Sequence, residues 1–155
     1  MHQISPDGIA FLKEKEGFRN DAYYDSANVL TIGYGHSAYA PSIEQYPVYE
    51  GQHITEEEGE EILRADLKPT EAAVNSAVTR DITQKQYDAL VSFTFNVGVG
   101  AFKASKVLSY TNEGNYQAAG DAFLDYSYAG GEFIPGLRKR REEERVMYLS
   151  SLPQE

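Results

Sequence analysis

With 155 residues the chain has the size of a single domain, long enough to bury a substantial core. A hydrophobic share of 41% and a charged share of 25% match soluble globular proteins and exclude disordered or fibrous classes. The net charge of -10 argues against nucleic-acid binding, which needs clustered Lys and Arg, and the absence of cysteine excludes disulfides and thiolate metal sites.

Ser5-Pro6-Asp7 predicts a helix start: a hydroxyl cap, a proline at the first helical position, and an acid facing the positive end of the dipole. Ile9, Phe11 and Leu12 supply an apolar face, and Gly17 offers the left-handed residue that ends helices, which leaves Glu16 in the last turn. From Ala22 to Tyr34 the composition turns to Tyr, Val, Leu, Thr and Ile around the turn formers Asp25-Ser26-Ala27-Asn28, which predicts a hairpin. Residues 38–52 read as an irregular edge of this β-rich part. The stretch Glu44 to Glu61 holds seven Glu and no Lys or Arg, and is expected to be solvated surface.

Thr55-Glu56-Glu57-Glu58 matches a capping box and opens a helix carrying Ile62, Leu63 and Leu67, which Pro69 either kinks or splits. A second capping box, Thr83 to Gln86, precedes Tyr87, Leu90, Val91, Phe95 and Val97, apolar around most of the circumference and so the expected central core helix. Shorter helices are predicted around 105–112 and 115–126, then a break at Gly130-Gly131 and a last helix from Pro135 to about Ser150. The expected organisation is one domain: a first helix and β-rich lobe over about 5–54, a linking helix over about 55–79, and a helical lobe over about 80–150. No run of about 18 apolar residues occurs, and the N-terminus lacks the basic and apolar segments of a secretory signal. A protein that starts in the cytoplasm without membrane insertion is therefore expected.

Two carboxylates and a hydroxyl, Glu16, Asp25 and Thr31, fall within sixteen residues. Cleaving a glycosidic bond needs a carboxylic acid to protonate the leaving oxygen and a carboxylate to act as nucleophile or to activate a water. A helix C-terminus carries partial negative charge, which favours the neutral acid at Glu16, whereas Asp25 in a polar turn stays ionised. On that reading Glu16 is the acid, Asp25 the base, and Thr31 on the following strand holds the water. The spacing alone decides little, because a chain with 24 acidic residues contains many such pairs. Thr31 also reads as an ordinary strand residue, and His36, which titrates near neutrality, also reads as an acid or base.

The segment from Glu16 through Asp25 to Thr31, followed by Ile32-Gly33-Tyr34-Gly35-His36, resembles the Glu-Asp-Thr triad of phage-type lysozymes, glycoside hydrolase family 24. Gln86 to Phe93 with Phe95-Asn96-Val97-Gly98 is similar to that family's central helix. Tyr128-Ala129-Gly130-Gly131, Pro135-Gly136-Leu137, Arg140-Arg141 and Glu144 match the ending of its endolysin branch, so the likeness spans about residues 4 to 150.

This resemblance implies an α+β, two-lobed lysozyme-like fold with a cleft between a β-rich and a helical lobe. It also implies hydrolysis of the bond from N-acetylmuramic acid to N-acetylglucosamine in peptidoglycan, by an inverting mechanism with carboxyl groups about 6.5–9.5 Å apart. A monomer acting on the wall after holin-type or other release, with no cofactor and no metal, is expected. The family pattern leaves His36 as a buried, ion-paired residue, with the partner carboxylate unassigned, and gives Gly33 and Gly35 tight turns near the site. Ser37, Phe95 and Ser105 occupy positions that resemble glycan contacts, although Phe95 reads equally as core and Ser105 as a helix cap.

Tyr126 and Tyr128 read as sugar platforms or as packing residues, and the chain lacks the tryptophan that the family often carries near them. The cluster Arg138 to Arg141 reads as a helix surface whose Arg140, Arg141 and Glu144 form ion pairs. Two alternatives accompany the hydrolase reading: a lytic transglycosylase that keeps Glu16 as acid, and an inactive wall-binding module.

Overall fold

A computed structural model describes residues 2–152. The chain divides into two compact units, one of residues 10–69 and one of residues 2–9 with 70–152. The divisions fall inside the first and second helices.

The helix α1 (Pro6–Glu16) begins as its sequence dictates, with the Gly8 amide donating to the Ser5 hydroxyl at 3.1 Å. It ends where Gly17 takes a left-handed φ of 70° and its amide donates to the Lys13 carbonyl at 3.0 Å. The smaller unit then builds an antiparallel sheet in the order β1 (Arg19–Tyr24), β2 (Leu30–Gly33), β3 (His36–Ser37). Tyr23 pairs with Thr31 and Tyr24 with Leu30, while Arg19 pairs with Gly33, so the register shifts between Arg19 and Tyr23. The irregular segment that follows is tied back to β1, since the Ala22 amide donates to the Gln52 carbonyl and the Ile54 amide to the Asn20 carbonyl. Ile32, Ile54 and Ile62 form the buried core, with Phe18, Ala22, Tyr46 and Val48 packed on it.

The helix α2 (Glu56–Ala77) starts at the expected capping box, with the Glu58 amide donating to the Thr55 hydroxyl and the Thr55 amide to the Glu58 carboxylate. It runs unbroken through Pro69, so the proline does not split it.

In the larger unit α3 (Gln84–Val97) carries its capping box at Thr83 and Gln86, and every residue from Gln86 to Thr94 is buried. Residues α4 (Val99–Lys103), α5 (Lys106–Glu113), α6 (Tyr116–Ala122) and a 3-10 turn at Phe123–Asp125 follow. The break expected at Gly130-Gly131 is instead the turn of a hairpin, β4 (Tyr128–Ala129) with β5 (Glu132–Phe133), both glycines having positive φ. Strands of two residues are too short to show a period, and α4, at five residues, is likewise absent from the sequence reading.

The helix α7 (Pro135–Ser150) packs along α3. Phe93, Phe123 and Tyr148 join them, with successive ring centroids 5.1 and 5.4 Å apart. The expected surface at Arg140 and Arg141 is in fact interior: Arg140, Arg141 and Glu144 are 8%, 0% and 0% exposed. Glu144 pairs with Arg140 at 3.3 Å and Arg141 at 3.0 Å, and accepts the Ser92 hydroxyl at 2.6 Å. The central helix supplies that hydroxyl and leaves room for the charges, which charge patterning within α7 does not reveal. Burial pushes the Glu144 carboxyl up, against the opposing pull of Arg141, the Ser92 hydroxyl and Arg140.

Candidate active site

Glu16 is the last residue of α1 and is half-buried. A Cβ placed on Gly35, in the turn between β2 and β3, would lie 3.2 Å from Glu16 Oε1. The carboxylate is therefore seated against bare backbone at a residue whose φ of +69° already favours glycine. Gly33, at φ +65°, opens the same turn, with the Ile54 side chain close beneath it.

Asp25 follows β1 directly, in the turn whose Asn28 takes a φ of 61°. Its Oδ1 accepts the Ala27 and Val29 amides, each at 2.9 Å, while its own amide donates to the Val29 carbonyl at 2.9 Å. Two backbone donors hold one carboxylate oxygen, and Oδ2 has no hydrogen-bond partner among the described residues. The sequence Asp-Ser-Ala-Asn makes this arrangement local, because Asp hydrogen-bonds the backbone two residues on and Asn tolerates the left-handed conformation.

Thr31 on β2 is 3% exposed, and its hydroxyl donates to the Val29 carbonyl at 2.9 Å. That bond uses the only hydroxyl hydrogen and leaves lone pairs on Oγ1 to accept. Thr31 lies opposite Tyr23 on one side and Ser37 on the other, which places all three side chains on one face of the sheet. Ser37 is thus beside Thr31 and half-buried.

His36, one register step away, faces inward and is 1% exposed. Its Nδ1 lies 2.7 Å from Asp66 Oδ2 and its Nε2 2.6 Å from the Tyr46 carbonyl. Both partners offer acceptor oxygens, an arrangement that favours the doubly protonated ring. Burial opposes that charge, but the hydrogen bonds to Asp66 and Tyr46 and the Asp66 charge outweigh it and raise the pKa. Asp66 Oδ1 in turn accepts the Ser42 amide at 3.1 Å and hydroxyl at 2.5 Å, fastening residues 42–46 to α2. Asp66 stands 30 residues from His36, so no local signal names it as the partner.

The two remaining sequence candidates belong to the larger unit. Phe95 is half-buried on α3. Ser105 is 3% exposed and caps α5, accepting the Leu108 amide at 3.1 Å and donating to the Phe102 carbonyl at 2.7 Å. Among the described residues no group of three His, Asp or Glu side chains is placed to hold a metal ion.

A short first helix, a small antiparallel sheet and a set of further helices follow one another as in an α+β lysozyme fold. The phage lysozyme family profile matches residues 13–144, and the chain belongs to that family. The endolysin of Salmonella phage P22 is 45% identical over 151 residues, covering 97% of this chain and 100% of its own length. The endolysin of Bacillus phage B103 is 43% identical over 149 residues, 95% of this chain, but the chain spans only 54% of that relative. A crystal structure of a P22 lysozyme mutant is similar with a TM-score of 0.86 and 44% identity, covering 96% of this chain and 99% of that one. The muramidase domain of SpmX from Asticaccaulis excentricus is similar with a TM-score of 0.84 and 36% identity, over 96% and 99% of the two chains.

Proposed function

We propose that the chain is a muramidase that hydrolyses the β-1,4 bond from N-acetylmuramic acid to N-acetylglucosamine in peptidoglycan, with Glu16 as general acid, Asp25 as general base and Thr31 positioning the water. The observation that carries this reading is the division of labour in the hairpin. Asp25 Oδ1 is fixed by two amides while Oδ2 is left to accept, and Thr31 has spent its hydrogen on Val29 and also accepts. A water between them donates one hydrogen to each, which turns its lone pair toward the anomeric carbon. As the carbon–oxygen bond of the leaving sugar breaks, Glu16 passes its proton to that oxygen and Asp25 takes one from the water. Glu16 ends ionised and Asp25 protonated, and exchange with solvent restores both.

Attack by a water held by Asp25 inverts the anomeric centre. The family membership and the likeness to a solved muramidase domain support the bond specificity. Ser37, beside Thr31, is a proposed glycan contact, and Phe95 is a second candidate, whereas Ser105 is buried with its hydroxyl committed to the cap of α5. The protein works as a monomer on wall glycan, reached from the cytoplasm through a holin-type or other release step. No helix among the described residues is long and apolar enough to cross a membrane.

The test is the first product formed from a soluble peptidoglycan oligosaccharide, read by NMR and mass. The α-anomer of an intact reducing end is expected. An initial β-anomer would contradict the water-mediated mechanism, and an anhydromuramic end, lighter by one water, would show a transglycosylase instead.

A further inference from the structure

Gly59 is the fourth residue of α2, between Glu58 and Glu60, in a helix otherwise rich in strong helix formers. Glycine is a poor choice inside a helix, and no turn or positive φ requires it here. Its surroundings explain it. A Cβ at this position would lie 2.5 Å from Phe18 Cε1, 3.2 Å from Phe18 Cδ1 and 3.4 Å from Tyr34 Cε2. The two rings are themselves in contact, with centroids 5.0 Å apart.

Phe18 comes two residues after Glu16, and Tyr34 comes one residue before Gly35, against which the Glu16 carboxylate rests. Both backbone segments that form the seat of Glu16 are thus clamped onto the same bare spot of α2. Lys13, one turn back on α1, closes the contact by pairing with Glu56 at 3.3 Å and with Glu60, on either side of Gly59. Its ammonium also lies 5.8 Å from the centre of the Tyr34 ring.

We propose that Gly59 is a positioning residue for Glu16: by admitting the Phe18 and Tyr34 rings to the surface of α2, it fixes the end of α1 against the β2–β3 turn. The proposal rests on the reading of Glu16 as the general acid. Packed interiors transmit small shifts, and a misplacement of about 1 Å at a reacting group costs up to about a hundredfold in rate. A methyl group at residue 59 would push the Phe18 ring, and with it the chain leaving Glu16.

The test is a cycle of Gly59→Ala, Phe18→Leu and the double variant, assayed on a soluble peptidoglycan oligosaccharide with rates expressed per folded molecule. Gly59→Ala is expected to lower kcat about tenfold or more with KM nearly unchanged, and to displace the basic limb of the kcat–pH profile. Leucine lacks the Cε1 atom that the methyl would strike, so the double variant is expected to recover most of the loss. Wild-type kcat and pH profile in Gly59→Ala would overturn the proposal, as would a loss that Phe18→Leu does not relieve. Should Gly59→Ala fold too poorly to assay, Phe18→Leu alone is expected to lower kcat by opening a gap, and the added methyl to restore it. A double variant no faster than Phe18→Leu would then overturn the proposal. Glu16→Gln in parallel separates the two readings, since wild-type kcat in that variant defeats the acid assignment whatever Gly59 does.

Discussion

At His36 the two acceptors, Asp66 and the Tyr46 carbonyl, favour the protonated ring in the interior beside the Thr31 strand. Because the folded pKa is raised, the ring binds its proton more tightly in the folded state than in the unfolded chain. The resulting stabilisation is complete below the unfolded value of about 6.5 and is lost as pH rises through the raised folded value. Thermal midpoints across this range should therefore fall more steeply for the wild type than for His36→Asn. Parallel curves would show that the charge contributes nothing. The local settings of Glu16, Asp25 and Thr31 are legible in the sequence, because a helix end, a turn and a strand are set by nearby residues, while their proposed roles come from the likeness to phage-type lysozymes. The sequence cannot name Asp66 or Ser42, whose meeting with His36 depends on how the chain returns.

The elements divide in the same way. Ser5, Gly17, Thr55 and Thr83 mark helix ends through bonds that span three or four residues, so the helix boundaries they set are readable. The hairpin at Gly130-Gly131 and the short α4 have no periodicity to read. The helix α7 shows the largest departure, since its Arg140, Arg141 and Glu144 look like a surface charge pattern but turn toward α3, Arg140 and Glu144 to Ser92 and Arg141 to Asn96. Removing one member of a buried ion pair leaves uncompensated charge and costs roughly 3–5 kcal/mol. Denaturant unfolding of Glu144→Gln should show a loss of that order, because the fully buried Arg141 guanidinium loses the carboxylate it pairs with. A change below about 1 kcal/mol would mean that water reaches the cluster.

For the whole molecule, composition predicts a globular protein, and the motif around Glu16 predicts the family to which the chain belongs. The Glu-rich block from Glu44 to Glu61 is mostly exposed, yet it is not idle surface: Glu56 and Glu60 hold Lys13, and Glu58 closes the α2 cap. Charge counting alone gave no hint of that, nor of the bare glycine among those acids. The proposed hydrolysis depends on Glu16 delivering a proton. Release of reducing ends from purified sacculi by folded Glu16→Gln measures this most directly. A rate at least about a hundredfold below wild type is predicted, within the range lost when a positioned acid is removed. A variant that cleaves sacculi as fast as the wild type would contradict it.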